Sequence, residues 1–288
     1  MGLFQGTGIS TTSGSYGEAR YVLGKRWGLD LTPVTTADIN DNTEAFTGRT
    51  VLLVPDGSSP TGGLTAAGRA NLRDWIARGH TYVGLRNEGT RVARAAGLTS
   101  TTEKTKPADY LVIGSHLRVD VDSDSPVALG RPAEDFEFNN GDPILNPSTT
   151  GTNVLTYPTG DTFWANGYTV GADTLKGTAA VVDEPTGAGR AVLFAFNPLF
   201  RAYNENGLHL VANALLYPST ATPDARRAPG PTRRVPAPPP RRWRRTWAAG
   251  GGRSPSRWRP ATWRAPGRSS NASPPTPGRP RRTARRTS

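Results

Sequence analysis

Four polar residues stand where apolar segments stop. Arg86, Asn87 and Glu88 follow Thr81-Tyr-Val-Gly-Leu85, and Asn197 follows Ala191-Val-Leu-Phe-Ala-Phe196, just before Pro198. A guanidinium and two amides can hold a small acid or a sugar, and a carboxyl can move a proton, but the always-protonated guanidinium cannot attack a carbonyl and an amide is no base. The chain has no Cys, which excludes disulfides, thiolate metal sites and a cysteine nucleophile. Its three His carry no zinc signature: His80 is followed by Thr-Tyr-Val, His116 by Leu-Arg-Val and His209 by Leu-Val-Ala, so none opens a His-x-x-Glu pair. All three read as structural, His80 beside a helix C-terminus where the dipole favours an imidazolium. Asp120, Asp122 and Asp124 begin like a calcium loop, but Ser125 and Arg131 stand where the central Gly and the final Glu belong. Alternating acids on a solvent-facing strand explain them better. Glu134, Asp135 and Glu137, interleaved with Phe136 and Phe138, are either a polar loop anchored by aromatics or, with His116, the acid/base groups of a hydrolase. Gly6-Thr-Gly8 lacks the third Gly of a dinucleotide fingerprint and reads as a tight turn. No cofactor and no metal is expected.

The elements that must position these residues follow from pattern. Met1 to Phe4 reads as a strand already in progress, which suggests a start further upstream. Ser15-x-x-Glu18 is a capping-box spacing, predicting a helix to about Trp27. Leu-Asp-Leu-Thr-Pro-Val34 and Thr50–Asp56 are candidate strands. Leu64, Gly68, Leu72, Trp75 and Ile76 recur at helical spacing, with Gly79 past the end. Thr81–Leu85 is another buried strand and Asn87–Leu98 a short helix. Strands alternating with helices at this spacing argue for a parallel sheet covered on both faces. From about 104 to 180 the texture changes to short alternating segments bounded by Gly, Pro, Asn and Asp, a β-rich insertion at the sheet edge. A core strand returns at Gly189–Phe196, and Leu208, Val211 and Leu215 share one face of a closing helix that Pro218 ends.

These segments resemble the class I glutamine amidotransferase-like fold, a flavodoxin-like three-layer α/β domain. That family sets its nucleophile in Gly-x-Cys-x-Gly on a sharp strand-to-helix turn, and its partners in Phe-His-Pro-Glu at a late strand end. Here the first place reads Gly84-Leu-Arg86-Asn-Glu-Gly89 and the second Phe196-Asn197-Pro198-Leu199. By this match Cys becomes Arg86, His becomes Asn197 and Glu becomes Leu199, so the resemblance implies a site without its triad. The second Gly also arrives one position late. The resemblance implies that Arg86, Asn87, Glu88 and Asn197 gather at the carboxyl ends of neighbouring strands as a vestigial pocket. Arg86 could instead pair with Glu88 or another acid nearby.

Over residues 1–218 the chain also looks like the domain appended to secreted actinobacterial zinc carboxypeptidases, carried by "LRDWIARGHTYVGL" and "GRAVLFAFNPLFRAYNENGLHLVANALLYP". That resemblance implies an extracellular parent with a peptidase domain that this chain lacks. For this chain it implies a non-catalytic accessory domain with a small-molecule, peptide or glycan ligand. Residues 219–288 are a different material. From Thr222 onward there are 18 Arg and one Asp, a net +17 out of the chain's +12, which leaves the remainder at −5. That stretch has no Leu, Ile or Phe and cannot offset the entropy of ordering, so disorder is expected. Its Arg/Pro/Ala/Gly alphabet fits either an out-of-frame end or a basic arm, with non-specific polyanion binding in both cases. No apolar run is long enough to span a membrane, and "MGLFQGTGIS" is no signal peptide, so the chain alone does not fix a compartment.

Overall fold

A computed structural model describes residues 1–217 except 13, 60 and 162, and the expectations for Pro218 and the Arg-rich segment lie outside the described residues. Chain order runs β1 (Gly2–Phe4), α1 (Gly14–Ala19), a π-helical continuation (Arg20–Arg26), β2 (Thr32–Val34), α2 (Thr36–Asn40), α3 (Glu44–Thr47), β3 (Val51–Val54), α4 (Ala66–Ala77), β4 (Thr81–Leu85) and α5 (Arg86–Ala95). Then come β5 (Glu103–Lys104), β6 (Leu111–Val121), β7 (Glu134–Asn139), β8 (Ile144–Leu145), β9 (Thr152–Thr156), β10 (Trp164–Val170), β11 (Ala179–Thr186), β12 (Gly189–Phe194) and α6 (Glu205–Leu216).

All twelve strands join one mixed sheet, with the main path β10-β6-β9-β11-β12-β4-β3-β1-β2. The pairs β1–β2, β1–β3, β3–β4 and β4–β12 are parallel. Numbered along the parallel half alone, the order is 2-1-3-4-5, the flavodoxin-like winding. Beyond β12 every pairing is antiparallel, through β11, β9, β6, β7 and β10. This is the β-rich edge section that the alternating segments predicted.

Period-two alternation splits the core between the two faces of the sheet. Leu3, Leu53, Val83, Val192 and Phe194 meet Tyr16, Val22 and Leu23 of the first helix and Leu208 and Val211 of α6. Phe4, Leu52, Val54, Tyr82 and Leu193 meet Leu72, Trp75 and Ile76 of α4 and Val92 of α5. Leu72, Trp75 and Ile76 are fully buried, about 2 kcal/mol each by area. Thr65 caps α4, its hydroxyl accepting from the Gly68 N–H at 3.0 Å. Asn204 caps α6 through the Asn206 N–H at 3.1 Å.

One local expectation is corrected. Ser15 caps nothing: it lies inside α1, and its buried hydroxyl has no hydrogen-bond partner. Glu18, the expected second half of the box, turns away to bind a distant loop. The continuous α-helix expected to Trp27 widens instead into the π-helical turns at Arg20–Arg26.

Candidate functional site

A strand-to-helix turn with no intervening residue follows β4. The strand ends at Leu85 and α5 begins at the next residue, with Arg86 at φ +52°. A side chain at positive φ crowds its own carbonyl, so a non-glycine residue there is held by its surroundings. Strand and helix meet closely at two glycines. A Cβ on Gly89 would lie 2.6 Å from the Gly84 carbonyl carbon, and the Tyr82 hydroxyl donates to the Gly89 carbonyl at 2.6 Å. The Gly that arrives one position late in the sequence is thus the residue that lets the helix rest on the strand.

Arg86 is held by two ion pairs and a backbone contact. It pairs with Asp56, in the loop after β3, at 3.1 Å, and with Asp142, in the loop between β7 and β8. It also donates to the Asn140 carbonyl at 3.4 Å. Asp142 is only 2% exposed; burial pushes its carboxyl up to about 6, with the Arg86 charge opposing. One guanidinium therefore ties the parallel core to the antiparallel insertion.

Glu88 is buried beneath two loops. One carboxylate oxygen accepts from the Ser59 N–H at 2.8 Å; the other has no partner. A Cβ on Gly57 would run into this carboxylate. Burial pushes its pKa up to about 7; the Ser59 hydrogen bond opposes this, the Asp56 charge reinforces it, and the Arg91 charge opposes it again. Asn87 is near Asp56, its amide 3.4 Å from Oδ1.

Asn197 lies three residues past β12 and is 8% exposed. Its side-chain oxygen accepts from the Leu199 N–H at 3.1 Å, turning the chain after the strand, and its Nδ2 donates to Glu18 at 2.5 Å. The other Glu18 oxygen accepts from the Arg201 N–H at 3.0 Å, where Arg201 and Ala202 also sit at positive φ.

Arg86 and Asn197 line one cleft of about 400 Å³, together with Glu18, Asp56, Ser15 and Ser58. Its walls come from the carboxyl ends of β1, β3, β4 and β12, where an open α/β sheet places its crevice. The four residues singled out by sequence therefore divide. Arg86 and Asn197 reach the cleft, Glu88 lies under its Gly57 wall, and Asn87 lines a separate hollow beside Lys106. Arg86 pairs with Asp56 and Asp142, not with Glu88. Sequence reasoning missed Glu18, Asp56 and Asp142. Asp56 carried a usable signal, a polar residue closing an apolar strand as Arg86 does. Glu18 was hidden by its reading as a cap.

The acidic segment is not assembled with His116. His116 pairs with Phe138 across β6 and β7 and so shares its face, while Asp135 and Glu137 alternate to the other. The His116 ring contacts Asn166 at 2.8 Å and the Tyr203 hydroxyl at 3.3 Å. Asp135 pairs with Arg131, Glu134 with Arg118, and buried Glu137 accepts from the Tyr157 hydroxyl at 2.6 Å. Among the described residues no helix is long and apolar enough to cross a membrane.

No family model matches the chain, and no curated protein sequence matches it. Its likenesses are to solved structures. A ThuA-like protein from Parabacteroides merdae aligns at 10% identity over 77% of this chain and 92% of that one, with a TM-score of 0.49. A GMP synthase protein from Thermoplasma acidophilum aligns at 12% identity over 75% and 92%, TM-score 0.48. PurLQS from Thermotoga maritima aligns at 16% identity over 75% and 97%, TM-score 0.48. The winding of the parallel strands defines a flavodoxin-like α/β domain with an antiparallel edge section.

Proposed function

We propose that this domain is a non-catalytic member of its fold, an accessory unit that binds a small hydroxyl-rich ligand such as a sugar in the cleft at Arg86 and Asn197. The observation that carries the reading is the state of Arg86. By the sequence resemblance it stands at the turn where an amidotransferase keeps its nucleophile, and its charge is spent on Asp56 and Asp142. An arginine so neutralised is a poor receptor for an acid ligand. Beside it in the cleft stand Ser58 and the Glu18–Asn197 pair, which after its own hydrogen bonds keeps spare carboxylate lone pairs and one amide N–H, groups suited to sugar hydroxyls. The resemblance of residues 1–218 to the domain appended to secreted zinc carboxypeptidases supports an extracellular parent with a separate peptidase domain.

The test is an ammonia-release assay with glutamine on the purified chain. No turnover is expected, and Arg86→Cys alone restores none, because position 197 supplies an amide in place of a base. Turnover by the unmodified chain overturns the reading. Calorimetric titration with mono- and disaccharides, repeated on Glu18→Ala, tests the ligand class: binding that Glu18→Ala leaves unchanged removes the cleft from the account. Sequencing the DNA upstream of codon 1 and across codon 220 tests both the parent and the reading frame of the Arg-rich segment.

A further inference from the structure

The hollow on the far side of the Arg86–Asp142 bridge has a different chemistry. It encloses about 370 Å³ and is lined by Asn87, Arg91, Glu103, Lys104, Lys106 and Pro143, among others. Three cations face one carboxylate, and Arg94 approaches the same carboxylate from 4.0 Å. Residues 1–221 carry a net charge of −5, so this excess of positive charge in a concavity runs against the whole body.

The cations differ in what they have left to give. Arg91 spends its fork on Glu103, with Nε and Nη2 each at 2.8 Å from a carboxylate oxygen. Lys104 donates one N–H to the Thr174 carbonyl and Lys106 one to the Gly141 carbonyl, both at 2.9 Å. An ammonium has three donors, so each lysine keeps two after its carbonyl, with the Lys106 ammonium also lying over the Tyr110 ring at 5.4 Å. Lys106 is held below its ordinary pKa, first by partial burial, with Arg86 and Arg91 pushing the same way and Asp142 and Glu103 opposing. Those two acids are already committed to arginines. The lining therefore carries two ammonium charges beyond the Arg91–Glu103 pair.

We propose that this hollow is a phosphate-group site, separate from the cleft, in which Lys104 and Lys106 supply the charge and Asn87 a further donor. A planar carboxylate prefers an arginine fork, and the fork here is occupied; two ammonium point charges suit a tetrahedral dianion. The group can arrive as inorganic phosphate or on a phosphomonoester. Asn87 adjoins Arg86, so an occupant touches the residue next to the bridge.

The test is a two-dimensional amide NMR titration of the full chain with sodium phosphate and, separately, with glycerol phosphate, against sodium chloride at matched ionic strength. Saturable shifts are expected at Asn87, Thr105 and Lys106, and tighter binding of the ester identifies the phosphomonoester as the occupant. The Lys104→Gln/Lys106→Gln variant should weaken saturation at least tenfold while its melting temperature stays near wild type. Shifts that grow linearly, that match the chloride control, or that are confined to the arginines after residue 222 overturn the proposal. So does unchanged affinity in the double variant.

Discussion

Glu88→Gln isolates the cost of a buried carboxyl. The folded state holds this group at about 7 against a reference of 4.5, so between those values the native protein binds the proton that the unfolded chain releases. Stability contributed by the protonated group is complete below 4.5 and is lost as pH rises through 7. A gap of about 2.5 units corresponds to about 3.4 kcal/mol in the limit of high pH. Between pH 5 and 8.5 the expected change is about 2.5 kcal/mol, since part of the loss precedes pH 5. Glutamine keeps an acceptor for the Ser59 N–H but places an amide where the second oxygen has no partner, which adds a constant cost. The slope therefore carries the information, not the offset. Urea unfolding of wild type and variant at half-unit steps from pH 5 to 8.5 gives the difference directly. Asp142 and Glu137, also shifted upward by burial, titrate in both proteins and cancel to first order. The variant should gain on wild type as pH rises toward 7 and level off above it. A difference that stays flat within about 0.5 kcal/mol would refute the reasoning.

Three further outcomes follow from the same geometry. Arg86→Ala leaves Asp142 buried without a counter-charge and should cost about 3 kcal/mol in chemical denaturation; a loss under 1 kcal/mol would mean the bridge is solvated. Gly89→Ala drives a methyl into the Gly84 backbone and should cost at least about 2 kcal/mol, whereas Gly17→Ala, inside α1 with open space at its Cβ, should stabilise by up to about 1 kcal/mol. Tyr157→Phe removes the hydroxyl that serves Glu137 and Asn139 and should cost about 2 kcal/mol, read from the same unfolding curves.

The sequence made the parallel half legible because its signals are local. Thr81–Leu85 and Leu72, Trp75 and Ile76 announce strand and helix through burial periodicity, and both lie where expected. The edge section was legible in kind but not in pairing. Register across β6, β7 and β10 depends on contacts between distant segments, and the irregularity near Asn166 follows no composition rule. The capping box failed for a tertiary reason. Glu18 gains more from Asn197 and the Arg201 N–H than from its own helix end, a choice visible only once β12 and α1 are neighbours. The site was half legible for a similar reason. Arg86 and Asn197 stand out because apolar strands end in them, while Asp142 comes from a loop 56 residues further along the chain with no pattern of its own.

The double pairing of Arg86 makes its position costly to change. A cysteine placed at 86 would replace one cation with a thiol facing Asp56 and Asp142, and two nearby negative charges hold a thiol protonated and unreactive. The same exchange strips a buried acid of its partner, so the chain would lose stability before it gained any chemistry. Placing a working nucleophile there would need both aspartates to change together with position 86.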